Sequence, residues 1–191
     1  MINPIFLIIG LNVFMFIAVT VSGDLVYQLA MYSPVELFSQ YPWGVFTSIF
    51  VHQEFFHLFA NMFTLYFFGS FLMRLVKDKW FWLIYIGGGL LGNLFFLGFE
   101  TLLNPDVASL AIGASGAIFA LGGALAVLTP NTRVFVFPIP TPMPLWIAVV
   151  GGFVILSFIP GIAWQAHLGG LLFGAAAGYL LKRRGGRASY Y

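Results

Sequence analysis

Along the 191-residue chain, apolar residues run in blocks rather than in stripes. Six blocks approach the roughly 20 residues that a helix needs to cross a hydrocarbon core: about 4–22, 50–73, 80–99, 110–128, 143–159 and 163–181. In most of them polar residues do not recur at helical spacing, so no face is left for water. None alternates apolar and polar residues with period two, as a membrane barrel strand would. The pattern predicts an all-α membrane protein: six transmembrane helices in a single domain over 1–191, ending in a short basic tail at 182–191. The first block lacks a positively charged lead-in and is long for a cleavable signal segment, so it counts as a true span.

Composition narrows the class. Only 7% of residues are charged against 61% hydrophobic. A soluble domain usually carries roughly a quarter charged residues, so water cannot be the main solvent of this surface. The partner is the lipid bilayer. A net charge of +2 is too small to suggest nucleic acid. The absence of cysteine removes disulfides, thiolate catalysis and Cys-ligated metals.

The distribution of charge sets an orientation. The basic residues Arg74, Lys77, Lys79, Arg133, Lys182, Arg183, Arg184 and Arg187 follow spans two, four and six. Asp24, Glu36, Glu54, Glu100 and Asp106 follow spans one and three or open span two, and only Asp78 sits among the basic residues. Basic loops stay cytoplasmic, which puts both termini inside and makes spans two, four and six run inward from the outer face. The long connection from Gly23 to about Ile49 carries Tyr27, Tyr32, Tyr41 and Trp43 and reads as an interfacial loop. Segment 137–144 has too many prolines for a helix and reads as a stiff cytoplasmic connector.

Polar side chains inside spans are costly and therefore informative. His52, Glu54, His57 and Asn61 lie in the first part of span two, Ser115 in span four and His167 in span six. Each group sits near the outer end of its span, so three segments far apart in sequence share one depth. His57 and Asn61 are i,i+4 and share a helix face. Taken singly, each has a plain structural reading: a cross-helix hydrogen bond for His57 and Asn61, a small packing residue for Ser115, a satisfied core histidine for His167. Convergence favours chemistry. Gly116, Ala120 and Ala124 repeat every four residues, as do Gly170, Gly174 and Gly178, and small residues at that spacing let two helix backbones approach.

Serine needs a base to become a nucleophile, and His167 is the natural one near neutral pH. Backbone N–H groups at the Ser115 turn, reached through Gly113, and side-chain donors from His57 and Asn61 would stabilise an oxyanion. None of the six acids lies in spans four to six, so the pair would be a dyad. Phe119, one turn after Ser115, shares its face and is placed to stack on the imidazole. A zinc site is not expected: His52 and His57 are five apart, and on one helix would point about 140° away from each other.

These residues resemble the rhomboid family of intramembrane serine proteases. His52-x4-His57-x3-Asn61, Gly113-x-Ser115-Gly116 and Ala166-His167-x-x-Gly170-x3-Gly174 look like the family's three motifs, in order on spans two, four and six. The resemblance implies a rhomboid-like bundle with Ser115 as nucleophile, His167 as base, and His57, Asn61 and the Ser115 backbone as oxyanion donors. It implies that His52 organises the outer loop and water access, and that the first loop is membrane-embedded. Substrates would be single-span membrane proteins cut within or beside the membrane, with no metal or other cofactor. The compact six-span layout is similar to prokaryotic members, implying a plasma-membrane enzyme with its site toward the extracellular side. Two positions depart from the pattern: Gly44 stands where the family often has arginine after tryptophan, and Met73 where it often has glutamate. A non-catalytic helix-binding adaptor and a small transporter are the competing readings.

Overall fold

The computed structural model describes residues 3–136 and 138–185. Phe137 of the proline-rich connector and residues 186–191 of the basic tail, Arg187 among them, lie outside the described residues. The chain runs α1 (Pro4–Val21), α2 (Leu25–Leu29), β1 (Met31–Ser33), α3 (Val35–Phe38), α4 (Gly44–Thr47), a 3-10 turn (Ser48–Phe50), α5 (Phe55–Met73), α6 (Asp78–Leu103), β2 (Ser109–Ala111), α7 (Ser115–Leu128), β3 (Arg133–Val134), β4 (Met143–Pro144), α8 (Leu145–Ser157) and α9 (Trp164–Gly185).

Helices α1, α5 and α6 are long and apolar enough to cross a membrane. Helix α1 opens with Asn3, whose side chain accepts from the Ile5 N–H at 2.9 Å, followed by Pro4 in the first turn, where a missing N–H costs nothing. Its buried residues Ile5, Ile8, Asn12 and Val19 fall on one helical face. On α5, Leu58, Asn61, Met62, Leu65, Gly69 and Leu72 face inward. Phe55, Phe59, Phe63 and Phe67 form an exposed ladder of neighbouring rings on that helix. An apolar exterior around an apolar core is what lipid solvation requires.

Helix α7 packs against α5, α6, α8 and α9. Its 14 residues span about 21 Å, less than the roughly 30 Å of a hydrocarbon core. Residues 110–114, expected inside the fourth span, are not helical. Ser109–Ala111 pairs antiparallel with Met31–Ser33 in the register Met31↔Ala111, Tyr32↔Leu110, Ser33↔Ser109. The chain then turns at Gly113, whose φ of 118° is incompatible with a right-handed helix. Residues 50–54, expected in the second span, form the end of the 3-10 turn and an irregular link before α5. A second two-stranded pair, Arg133↔Pro144 and Val134↔Met143, brackets the proline-rich connector at the other end of α7. Lys182, Arg183 and Arg184 continue α9 rather than leaving it.

Helices α7 and α9 run parallel at very close range. A Cβ built at Gly170 would run into the Gly116 carbonyl, at Gly174 into the Ala120 carbonyl, and at Gly178 into Ala124. The small residues thus sit in a constant register, and the backbones touch where side chains would otherwise separate them. Gly174→Ala is expected to lower the thermal midpoint by the equivalent of about 1–3 kcal/mol of overpacking. Gly151→Ala, where nothing lies within 4 Å of a built Cβ in the interior of α8, should not lower it. Thermal unfolding of the purified protein in detergent checks both.

Candidate active site

Ser115 is the first residue of α7 and His167 lies in the first turn of α9. His167 Nε2 stands 2.7 Å from Ser115 Oγ, within hydrogen-bond range. His167 is only 4% exposed, and its ring lies against Phe119 with centroids 4.6 Å apart and planes inclined by 31°. Phe119 meets Phe153 of α8 edge-on, so the imidazole is backed by two aromatic layers. Nδ1 of His167 has no hydrogen-bond partner among the described residues. Gly116 and Gly170 lie at the α7–α9 contact one turn or less from the pair, and Gly174 one turn further on.

The turn before Ser115 is held from two sides. The Gly113 N–H donates to the Ser48 carbonyl at 2.9 Å, and the Ala114 N–H donates to His52 Nε2 at 3.4 Å. His52 therefore presents an unprotonated Nε2 to the backbone. With these two donors spent, the N–H groups of Ser115, Gly116 and Ala117 are the N-terminal donors of α7 without a partner among the described residues. A cavity of about 20 Å³, enough for a single water, is lined by Gly113, Ser115, Gly116 and Ala117 together with Asn93, Ala111 and Ala166.

His52 and His57 do not point apart. Because α5 begins at Phe55, His52 is not on the helix, and the two rings meet edge-to-face with centroids 4.9 Å apart. The His57 ring also covers Gly113: a Cβ there would lie 2.8 Å from both Cε1 and Nε2 of His57. Asn61 is buried on the same face of α5, but its amide donates to the His57 carbonyl at 3.0 Å. That leaves the second N–H of the amide for another acceptor.

Sequence reasoning overlooked Asn93. This α6 residue donates to the Val45 carbonyl and to Ser48 Oγ, both at 2.8 Å. It thereby ties α6 to the first loop, at the residue whose carbonyl holds Gly113. The signal was available, since Asn93 is a lone amide within the apolar run of span three.

The rhomboid domain family model matches residues 39–184. The chain belongs to the rhomboid family. It is 29% identical over 154 residues to "Rhomboid protein 1, mitochondrial" of Saccharomyces cerevisiae, a match that covers 73% of this chain and 42% of the yeast protein. It is 31% identical over 140 residues to "Putative rhomboid protease YdcA" of Bacillus subtilis, covering 73% of this chain and 65% of that one. To "RHOMBOID-like protein 5" of Arabidopsis thaliana it is 33% identical over 146 residues, covering 74% and 45%. The chain thus spans less than two thirds of the length of these curated relatives. With its apolar helices, this rhomboid is an integral membrane protein.

The departure at Gly44 has a steric reason in this rhomboid. Gly44 is buried, and any Cβ there would collide with the Ala30 carbonyl. An arginine side chain has no room, and the loop is held instead by Trp43 Nε1 donating to the Gln28 carbonyl at 2.7 Å and Thr47 Oγ1 to the Leu29 carbonyl at 2.8 Å. Met73, the other departure, is the last residue of α5 and packs at the edge of the main core. At the site itself, Gly113→Ala is expected to cost about 1–3 kcal/mol of stability through the positive φ and to push the His57 ring away. Thermal unfolding, with fluorophosphonate labelling of Ser115 measured beside it, reads out the two effects separately.

Proposed function

We propose that this protein is an intramembrane serine endopeptidase that cuts transmembrane segments of membrane proteins with a Ser115–His167 dyad. The observation that carries the reading is the 2.7 Å contact between Ser115 Oγ and His167 Nε2 in a chain of the rhomboid family. In the resting enzyme Ser115 Oγ–H donates to the unprotonated Nε2. As Oγ attacks the scissile carbonyl, His167 takes its proton and later delivers it to the departing amine. The Ser115 N–H, with side-chain donors from His57 and Asn61, receives the negative charge that develops on the carbonyl oxygen. Water then attacks the acyl-enzyme, again with His167 as base. Gly113 keeps the backbone donors turned toward the site, Phe119 holds the imidazole plane, and Gly116, Gly170 and Gly174 set the α7–α9 distance. His52 steadies the turn before the nucleophile, and no cofactor takes part.

The charge asymmetry supports six spans with both termini cytoplasmic and the site toward the extracellular side of a plasma membrane. Substrates are then single-span proteins, entering sideways from the lipid. A helical substrate hides its carbonyls in hydrogen bonds, so cleavage is expected where the substrate helix is weak.

Two measurements test the reading. In proteoliposomes with a transmembrane substrate, Ser115→Ala is expected to abolish cleavage, a loss of about 10⁴-fold or more. Cleavage by that variant at the wild-type rate would refute the proposal. Turnover of the unaltered protein is expected to fall on acidification through the pKa of His167, because a protonated imidazole cannot accept the serine proton. A rate that rises on acidification would rule His167 out as the base.

A further inference from the structure

The last turns of α6 make three outward contacts in three consecutive residues. The Phe99 ring meets Trp164 edge-on, with centroids 5.6 Å apart. The Glu100 carboxylate accepts from Gln165 Nε2 through Oε1 and from Asn104 Nδ2 through Oε2, the latter at 3.0 Å. Thr101 Oγ1 lies 3.3 Å from Ser33 Oγ in β1, the strand paired with the segment that leads into Ser115. Trp164 and Gln165 are the first two residues of α9, and His167 follows within the same turn. Gln165 is 4% exposed, so its amide is held by Glu100 in place of water.

Glycine contacts bring α9 close to α7 but are non-directional. Two smooth backbones in contact can still slide or rotate against each other, and a small rotation at the start of α9 would carry the imidazole away from Oγ. A hydrogen bond to a carboxylate is directional and stronger than a neutral one. It also sets a negative charge beside the N-terminus of α9, where the helix dipole favours it. We propose that Glu100 and Gln165 are positioning residues: their bond fixes the rotation of the first turn of α9 and so holds His167 Nε2 on Ser115. The inference rests on the reading of Ser115 and His167 as the catalytic pair.

The test exchanges the partners in the full chain, reconstituted with a transmembrane substrate. Gln165→Glu alone sets two carboxylates against each other. It is expected to lower kcat by about 10- to 100-fold with KM within about twofold, since misplaced catalytic groups slow chemistry more than binding. Glu100→Gln retains an acceptor oxygen and is expected to keep most of the turnover. The double exchange, Glu100→Gln with Gln165→Glu, restores one amide and one carboxylate and should recover kcat to within about threefold of wild type. Wild-type kcat in Gln165→Glu, or a double variant no better than that single one, would overturn the proposal. Should Gln165→Glu not yield folded protein, Glu100→Ala is read in its place: a tenfold or so fall in kcat at unchanged KM supports positioning, and wild-type kcat refutes it. Ser115→Ala runs alongside. If it cleaves as fast as wild type, the proteolytic reading itself has failed, an outcome distinct from active enzyme that is indifferent to Glu100 and Gln165.

Discussion

A hydrogen bond of 2.7 Å between side chains on two different helices demands that the helices nearly touch, and α7 and α9 do. Gly170, Gly174 and Gly178 lie against the backbone at Gly116, Ala120 and Ala124, so main chain meets main chain along three turns. Lipid tails are as apolar as leucine, so burial supplies little drive for helices to associate within a bilayer. Close packing and shape have to supply it. The same contact that stabilises the bundle also sets the reach from Ser115 to His167. Any side chain larger than hydrogen at those glycines would separate the partners as well as weaken the bundle.

That contact makes the rest of the site possible, and a second constraint shapes it. Under the proposed function a serine at the tip of a helix needs backbone donors that are free, yet buried donors without partners are costly. The protein resolves this by allocation. The Gly113 and Ala114 N–H groups go to Ser48 and His52, while those of Ser115, Gly116 and Ala117, residues that line the small cavity, have no partner among the described residues. The first loop is therefore more than a cover. Asn93 fixes Ser48, Ser48 fixes Gly113, and β1 pairs with β2 immediately upstream. Gly44 fits the same scheme, since the loop is anchored by close backbone packing where an arginine would need space.

Much of the bundle was legible because apolar blocks of helical length have few alternatives, and the candidates stood out because Ser115, His57, Asn61 and His167 are rare polar groups in them. The misreadings share one cause. Hydropathy cannot tell helix from extended chain buried in protein, so 110–114 and 50–54 read as parts of spans, although the end of a strand and a turn occupy the first and the close of a 3-10 turn and an irregular link the second. The expected divergence of His52 and His57 followed from the same assumption of a continuous helix. Asn93, Glu100 and Gln165 carried no recognisable spacing, because each acts on a partner more than 40 positions away.

The amino-acid sequence by itself determined the solvent of this protein, which rare polar residues interrupt its apolar runs and the register of small residues that allows close approach. Those follow from composition and local periodicity, which the chain carries in one dimension. Tertiary structure alone decided where α7 begins, which N–H groups remain free, and how His52, Asn93 and Gln165 are engaged. Hydrogen bonds between distant segments depend on directions and distances to within a few tenths of an ångström, and no pattern along the chain encodes those until the helices have packed.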